Sequence, residues 1–217
     1  MIPLSHDFEG ERVLVVGGGR VGARKARRFA AEADVVVVSP GFADAAFGGA
    51  ERIRAEVAPG DVPGWFDRVD PVLAVAATDD GALNARVESV AHERGVLVNR
   101  TDTHGGRDAG SVVVPATVRD DPVVVSIATG GTSPALSRYL RERVEDELDG
   151  AGAMAELTGA LREDLQARGV DPERRRDVVR AVVRSPDVWT TLRTGNAKPR
   201  QLIDDVLADV APDLANS

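Results

Sequence analysis

The run Gly17-Gly18-Gly19-Arg20-Val21-Gly22 satisfies G-x-G-x-x-G through Gly17, Gly19 and Gly22. Glycines at this spacing allow a tight turn, close approach of a pyrophosphate to the backbone, and close packing of a helix on a strand. The chemistry on offer is dinucleotide binding, with Gly17, Gly19, Arg20, Val21 and Gly22 facing the phosphates. A helix starting here would add unpaired N–H groups and its positive dipole end. A short glycine motif also occurs as a purely structural turn, so its flanks decide. Before it lies an apolar, β-branched run at residues 12–16; after it, residues 20–33 read as helix and 35–38 as a second strand. Strand, glycine turn, helix and strand in this order form a βαβ unit.

Further candidates follow the other strand ends, where a parallel sheet meets its ligand. Ser39-Pro40-Gly41 occupies the place where an acid would hold the ribose hydroxyls. No carboxylate stands there and no arginine follows at once for a 2′-phosphate, so the pattern leans to NAD over NADP. Thr78 and Asp79, after a strand at 72–76, are placed to touch the cofactor. Asp79 or Asp80 can equally cap the next helix, and capping is the expectation for Asp80.

The elements that must position these residues are α/β in class. Strands at 12–16, 35–38, 52–57, 72–76 and 96–98, with helices at 20–33 and 82–94, predict a doubly wound, Rossmann-type parallel sheet over residues 1–110. Strands without polar alternation fit a sheet covered on both faces. A small α/β segment follows at 111–150. It has β-like runs at 111–115 and 123–127 joined by a turn at 119–122, then a helix to about 148, capped by Ser133 with Pro134 in its first turn. Residues 149–152 read as a linker. The remainder, 151–217, is expected to be all helical, with helices at 154–168, 172–184, 186–192 and 199–210, three of them opened by prolines. No internal repeat is present.

Composition narrows the partners. The 217 residues include 27 Lys+Arg against 35 Asp+Glu, a net charge of −8, which argues against nucleic acid. All basic residues but Lys25 and Lys198 are arginine. With Cys at 0, disulfides, Cys-bound metals and thiol nucleophiles are excluded. No long apolar run and no signal-like N-terminus is found, so no membrane association is expected and a cytoplasmic location is. Arg174-Arg175-Arg176, flanked by Glu173 and Asp177, reads as a solvated helix face. Trp189 reads as core.

The motifs taken together resemble the precorrin-2 dehydrogenase family, the dehydrogenase module of siroheme synthase. The resemblance runs through residues 12–19, Arg24-Lys25-Ala26, Ala76-Ala77-Thr78-Asp79-Asp80 with Leu83-Asn84, and Gly95-Val96-Leu97-Val98-Asn99. It ends in Thr129-Gly130-Gly131-Thr132-Ser133-Pro134 with Leu136 and Arg138, covering about residues 1–148 in the family's order. It implies oxidation of precorrin-2 to sirohydrochlorin with NAD as cofactor, and a homodimer formed through about 111–148. It also implies an active site between that segment and the cofactor domain. Some members also insert ferrous iron, so a bifunctional dehydrogenase and ferrochelatase is the alternative. A non-catalytic NAD-sensing Rossmann module is another; it explains the glycine motif but not residues 129–134.

The family's catalytic aspartate corresponds to Asp102, three residues after Asn99. A carboxylate there can take up a proton as hydride leaves, although an exposed Asp, with a pKa of about 3.9, is a weak base unless burial raises it. An ordinary loop aspartate is the plainer reading. The substrate carries eight carboxylates, so an acidic chain needs a local basic lining. Arg100, Arg107, Arg119 and Arg138 lie in the bordering segments, and Arg100 and Arg138 are taken as substrate-binding. Thr129, Gly130, Gly131 and Ser133, at a turn and helix start, form a second anion site. The loop from Asn99 to Pro115 departs from the family, carrying Gly105-Gly106 and Ala109-Gly110 where a hydrophobic or aromatic residue is usual, which clouds the placement of Asp108. His104 has no ligand set beside it, and no resident metal is expected.

Overall fold

A computed structural model describes residues 4–103, 110–194 and 199–211. His104, Arg107 and Asp108, with most of the glycine-rich loop around them, lie outside the described residues. Contacts divide the chain into two units, Met1–Val114 and Pro115–Ser217.

In the first unit, strands β1 (Arg12–Val16), β2 (Asp34–Ser39), β3 (Glu51–Arg54), β4 (Leu73–Ala76) and β5 (Leu97–Arg100) form one parallel sheet in the order β3-β2-β1-β4-β5. Helices α1 (Arg20–Phe29), α2 (Val62–Val69) and α3 (Gly81–Glu93) make the crossovers. Period-two geometry sends alternate residues to opposite faces. Val13, Val15, Val35, Val37 and Val75 therefore join Ala23 and Ala26 of α1 in one core. Leu14, Val16, Val38, Ala74 and Ala76 join Val62 and Phe66 of α2 and Leu83, Val87 and Val90 of α3 in the other. This is the expected doubly wound α/β fold, and its apolar strands are explained by burial on both sides.

Three local expectations change. Helix α1 ends at Phe29, four residues early, where the chain turns to enter β2. Helix α2 was not expected, because Pro63 and Gly64 make its sequence look like a loop. Pro63 sits in the first turn, where no N–H is missed, and Val62, Phe66 and Val69 bury one face at helical spacing. The strand expected at 111–115 is instead an edge contact of the first sheet: Ser111 bridges to Val98, and the Val112 N–H donates to the Val98 carbonyl at 2.8 Å.

In the second unit, β6 (Ala116–Asp120) starts after Pro115 and pairs antiparallel with β7 (Val123–Ile127), so only Asp121 and Pro122 remain as the turn. Helices α4 (Pro134–Glu147), α5 (Ala151–Ala167), α6 (Pro172–Val183), α7 (Pro186–Arg193) and α8 (Pro199–Val210) follow. The expected linker at 149–152 is shorter: α5 begins at Ala151, and the Gly152 N–H donates to the Asp120 carboxylate at 2.9 Å. Ser133, Asp171 and Ser185 cap α4, α6 and α7, each followed by its proline. Leu157, Leu161 and Leu165 of α5 pack with Val178 and Val182 of α6 and Val206 and Leu207 of α8. Each such side chain contributes about 1.5–3 kcal/mol by leaving water. Trp189 packs on this core and donates its indole N–H to the Val183 carbonyl at 2.8 Å, as expected of a structural residue. No described helix is long and apolar enough to cross a membrane.

Candidate active site

The glycine turn joins β1 to α1 at the carboxyl edge of the sheet. Gly17 has φ +118, and a side chain on it would strike the Ala77 carbonyl at the end of β4; one on Gly22 would strike the carbonyl of Gly17. Both positions therefore require glycine. Gly19 faces open space, and it caps α1 without a side-chain hydrogen bond and with no acid in the first turn. The N–H groups of Arg20 and Val21 thus have no partner within the helix. A pyrophosphate would find backbone donors, a helix dipole and the Arg20 charge there, so the residues present fit a dinucleotide.

At the next strand end, Ser39 is buried, with Pro40 and Gly41 exposed after it. The parallel register sets Arg54 of β3 beside Ser39, and Arg54 Nη1 donates to the Pro40 carbonyl at 2.8 Å. An arginine thus reaches the end of β2 from an adjacent strand. The linear sequence around residues 39–41 hides it; only the β2–β3 pairing reveals it.

Beyond β4, the Thr78 N–H and hydroxyl both lie against Asn84 Oδ1, at 3.2 and 2.8 Å, and Asn84 Nδ2 donates to the Thr78 carbonyl at 2.9 Å. Asn84 is fully buried, so this exchange fixes the loop. Asp80 takes its capping role, accepting from the N–H groups of Ala82 and Leu83 at 2.8 and 3.1 Å.

At the end of β5 three charges interlock. Arg100 donates from Nε and Nη2 to the two Asp102 oxygens at 3.0 and 2.7 Å, and from Nη1 to Glu88 of α3 at 2.8 Å. The side chains of Arg100, Glu88 and Asp102 are only 15%, 18% and 28% exposed. The forked guanidinium, ahead of an opposing effect of partial burial, lowers Asp102 from 3.8 to about 2, and the Asn84 side chain adds a further hydrogen bond. The two carboxylates hold Arg100 further above its ordinary range. Asp102 is therefore an anion at neutral pH and a poor proton acceptor while clamped. Glu88 was missed by sequence reasoning: it stands on a different element, and only the packing of α3 on β5 brings it to Arg100. Asn99, also buried, donates to the Val112 carbonyl at 2.7 Å, while its Oδ1 has no hydrogen-bond partner among the described residues.

The remaining candidates belong to the second unit. Thr129 Oγ1 contacts the Ser133 carbonyl at 3.1 Å and Ser137 Oγ at 2.9 Å, closing the turn at Gly130 and Gly131, both left-handed. Ser133 Oγ accepts from the Leu136 N–H at 3.3 Å. Arg138, 81% exposed, pairs with Glu142 at 3.1 Å, and Arg119 with Asp121 at 3.8 Å. The structure thus gathers Gly17, Gly19, Arg20, Val21, Gly22, Ser39, Pro40, Gly41, Thr78, Arg100 and Asp102 along strand ends of one sheet. Thr129, Gly130, Gly131, Ser133 and Arg138 form a separate group at the start of α4.

Residues 4–116 match a family of putative NAD(P)-binding domains. The chain is 37% identical over 218 residues to a siroheme synthase of Azotobacter vinelandii, covering 97% of this chain but 45% of that protein. It therefore spans about half the length of the curated siroheme synthases it matches. A precorrin-2 dehydrogenase of Methanosarcina barkeri is 30% identical over 197 residues, covering 87% of this chain and 85% of that one. Among solved structures, SirC, a precorrin-2 dehydrogenase, shares the fold with a TM-score of 0.69 at 22% identity, covering 95% of this chain and 98% of that chain.

Proposed function

This chain belongs to the precorrin-2 dehydrogenase family, and from that premise we propose that it oxidises precorrin-2 to sirohydrochlorin with NAD. The observation that carries this reading is the glycine turn at the same sheet edge as a clamped, ionised Asp102. The oxidation removes a hydride and a proton from the tetrapyrrole, and NAD, when bound, supplies the hydride acceptor. Gly19, Arg20 and Val21 hold its pyrophosphate, and Ser39, Pro40, Gly41 and Thr78 border the rest.

The useful property of Asp102 is its charge rather than its basicity. An anion held by Arg100 offsets the positive charge that develops on the tetrapyrrole as hydride departs, without reorganising. The proton then leaves to water. Three of Arg100's five N–H groups are used on Asp102 and Glu88, leaving two for a substrate carboxylate. Arg138 can leave Glu142 at little cost, because an exposed ion pair is weak. The backbone N–H groups near Gly130, Gly131 and Ser133 supply further anion contacts, with Thr129 fixing the turn.

Two narrower readings follow. Leu136, Tyr139 and Leu140 of α4 and Val124 of β7 are large apolar side chains left exposed, which supports a homodimer built on this segment. Light scattering of the wild type and of Tyr139→Glu tests it: a dimer that becomes a monomer is expected, and a monomeric wild type refutes it. Arg54, held on the Pro40 carbonyl at the end of β2, supports NADP as a second cofactor, because a guanidinium there suits a 2′-phosphate; comparison of kcat/KM for NAD and NADP decides between them.

The reaction itself is tested by anaerobic incubation with precorrin-2 and NAD, followed by absorbance. NADH formed together with the sirohydrochlorin spectrum is expected. Tight NAD binding without either signal would instead indicate a nucleotide-sensing module. Ferrous iron added afterwards, as a substrate, tests chelation against a protein-free control.

A further inference from the structure

One charged concavity takes no part in the proposed oxidation. Pro172, Arg175, Arg176, Val179 and Arg180 recur at helical spacing along α6 and, with Arg162 of α5, line a cavity of about 470 Å³. None of them belongs to the unit that carries the dinucleotide loop. The adjoining Glu173 and Asp177 do not line it. The solvated face expected of residues 174–176 would mix signs, but four guanidiniums converge here with no acid among the described lining residues.

Pairing sharpens the contrast. Arg86, Arg94, Arg100, Arg138 and Arg141 each hold a carboxylate. Around the cavity only Arg180 has one, Asp177 at 3.1 Å. Arg162, Arg175 and Arg176 make no side-chain hydrogen bond or ion pair among the described residues, in a chain whose net charge is −8. Like charges gathered round a concavity repel one another and raise the local potential, which an anion relieves. The volume lies in the range of small-molecule sites. Pro172, Val179 and the arginine stems supply apolar surface, and guanidiniums supply planar forks that match carboxylate or phosphate oxygens in pairs.

We propose that this cavity binds a small polyanion, a compact molecule bearing two or more carboxylate or phosphate groups. Neither source of the oxyanion is distinguished by the guanidinium geometry, so the test separates them. Calorimetric titration of the full chain with citrate and, separately, with pyrophosphate, at ionic strength fixed by sodium chloride, is expected to give saturable binding. The double variant Arg175→Ser/Arg176→Ser should weaken it about tenfold or more, the scale of losing charge-assisted hydrogen bonds. Arg162→Ser, on the opposite helix, should weaken it as well.

Citrate alone, pyrophosphate alone, or both, bound with these dependences, supports the site and names its chemistry. No saturable heat with either anion overturns it. So does binding that both variants retain in full, as pyrophosphate seated on the glycine turn would be. Removing exposed like charges should leave the melting temperature in chloride unchanged or raised, and this control separates lost binding from lost folding.

Discussion

Arg100 and Arg138 were both expected to meet substrate carboxylates, and the structure leaves them in opposite states. Arg100 is 15% exposed and gripped by two carboxylates from two elements. Arg138 is 81% exposed and holds a single glutamate one turn along its own helix. A partly buried, doubly paired guanidinium is first a structural clamp that fixes the position and charge of Asp102. An exposed, singly paired one is free to exchange partners. Residue type alone does not separate these roles; burial and the number of partners do.

The largest effect is expected at the clamped carboxylate. Asp102→Asn keeps the shape but removes the charge, and should lower kcat for NADH formation by about a hundredfold or more while NAD affinity stays within about twofold. An unchanged kcat would reduce Asp102 to a structural partner of Arg100. Arg100→Ala leaves two carboxylates facing each other, and should cost about 1–3 kcal/mol in urea unfolding, the range between exposed and buried pairs.

Glu88→Gln sharpens the comparison at lower cost. It keeps a hydrogen bond to Arg100 while removing one charge, so kcat should fall a few-fold with KM moving less. A change in KM alone would make Glu88 part of substrate binding instead. At the other extreme, Arg138→Ala should alter stability by about 0.5 kcal/mol or less. It should raise KM for precorrin-2 several-fold and leave kcat alone.

Acid titration gives the most specific signal. Asp102 is lowered in the fold to about 2 from 3.8. Its contribution is therefore complete above about pH 4 and lost as pH falls towards about 2. Denaturation followed by circular dichroism should show wild type losing about 1–2 kcal/mol across that window relative to Asp102→Asn, a figure reduced for solvent screening. Parallel curves would mean the clamp is open in solution.

Much of this was legible in the sequence, for reasons tied to local signals. The glycine turn, most of the valine strands, the Ser133 cap and the helix starts at Pro172 and Pro186 are encoded within a few residues, and they were read correctly. Asp80 as a cap follows from the same kind of signal. What stayed hidden depended on pairing across the fold. Arg54 reaches Pro40 only through the β2–β3 register, and Glu88 reaches Arg100 only because α3 packs over β5. The strand expected at 111–115 failed because Ser111 and Val112 joined the edge of the first sheet, leaving the hairpin to begin after Pro115. Helix α2 was masked by a proline and a glycine that its first turn tolerates.

The most direct measurement is the rate of NADH formation from precorrin-2 and NAD, taken anaerobically from pH 5 to 9 for wild type and Asp102→Asn. One NADH per sirohydrochlorin is expected in the wild type. No loss of rate towards pH 5 that disappears in the variant is expected, because Asp102 stays ionised throughout. A limb titrating near neutral pH that the variant abolishes would contradict the clamped anion, and absence of NADH from the wild type would contradict the oxidation itself.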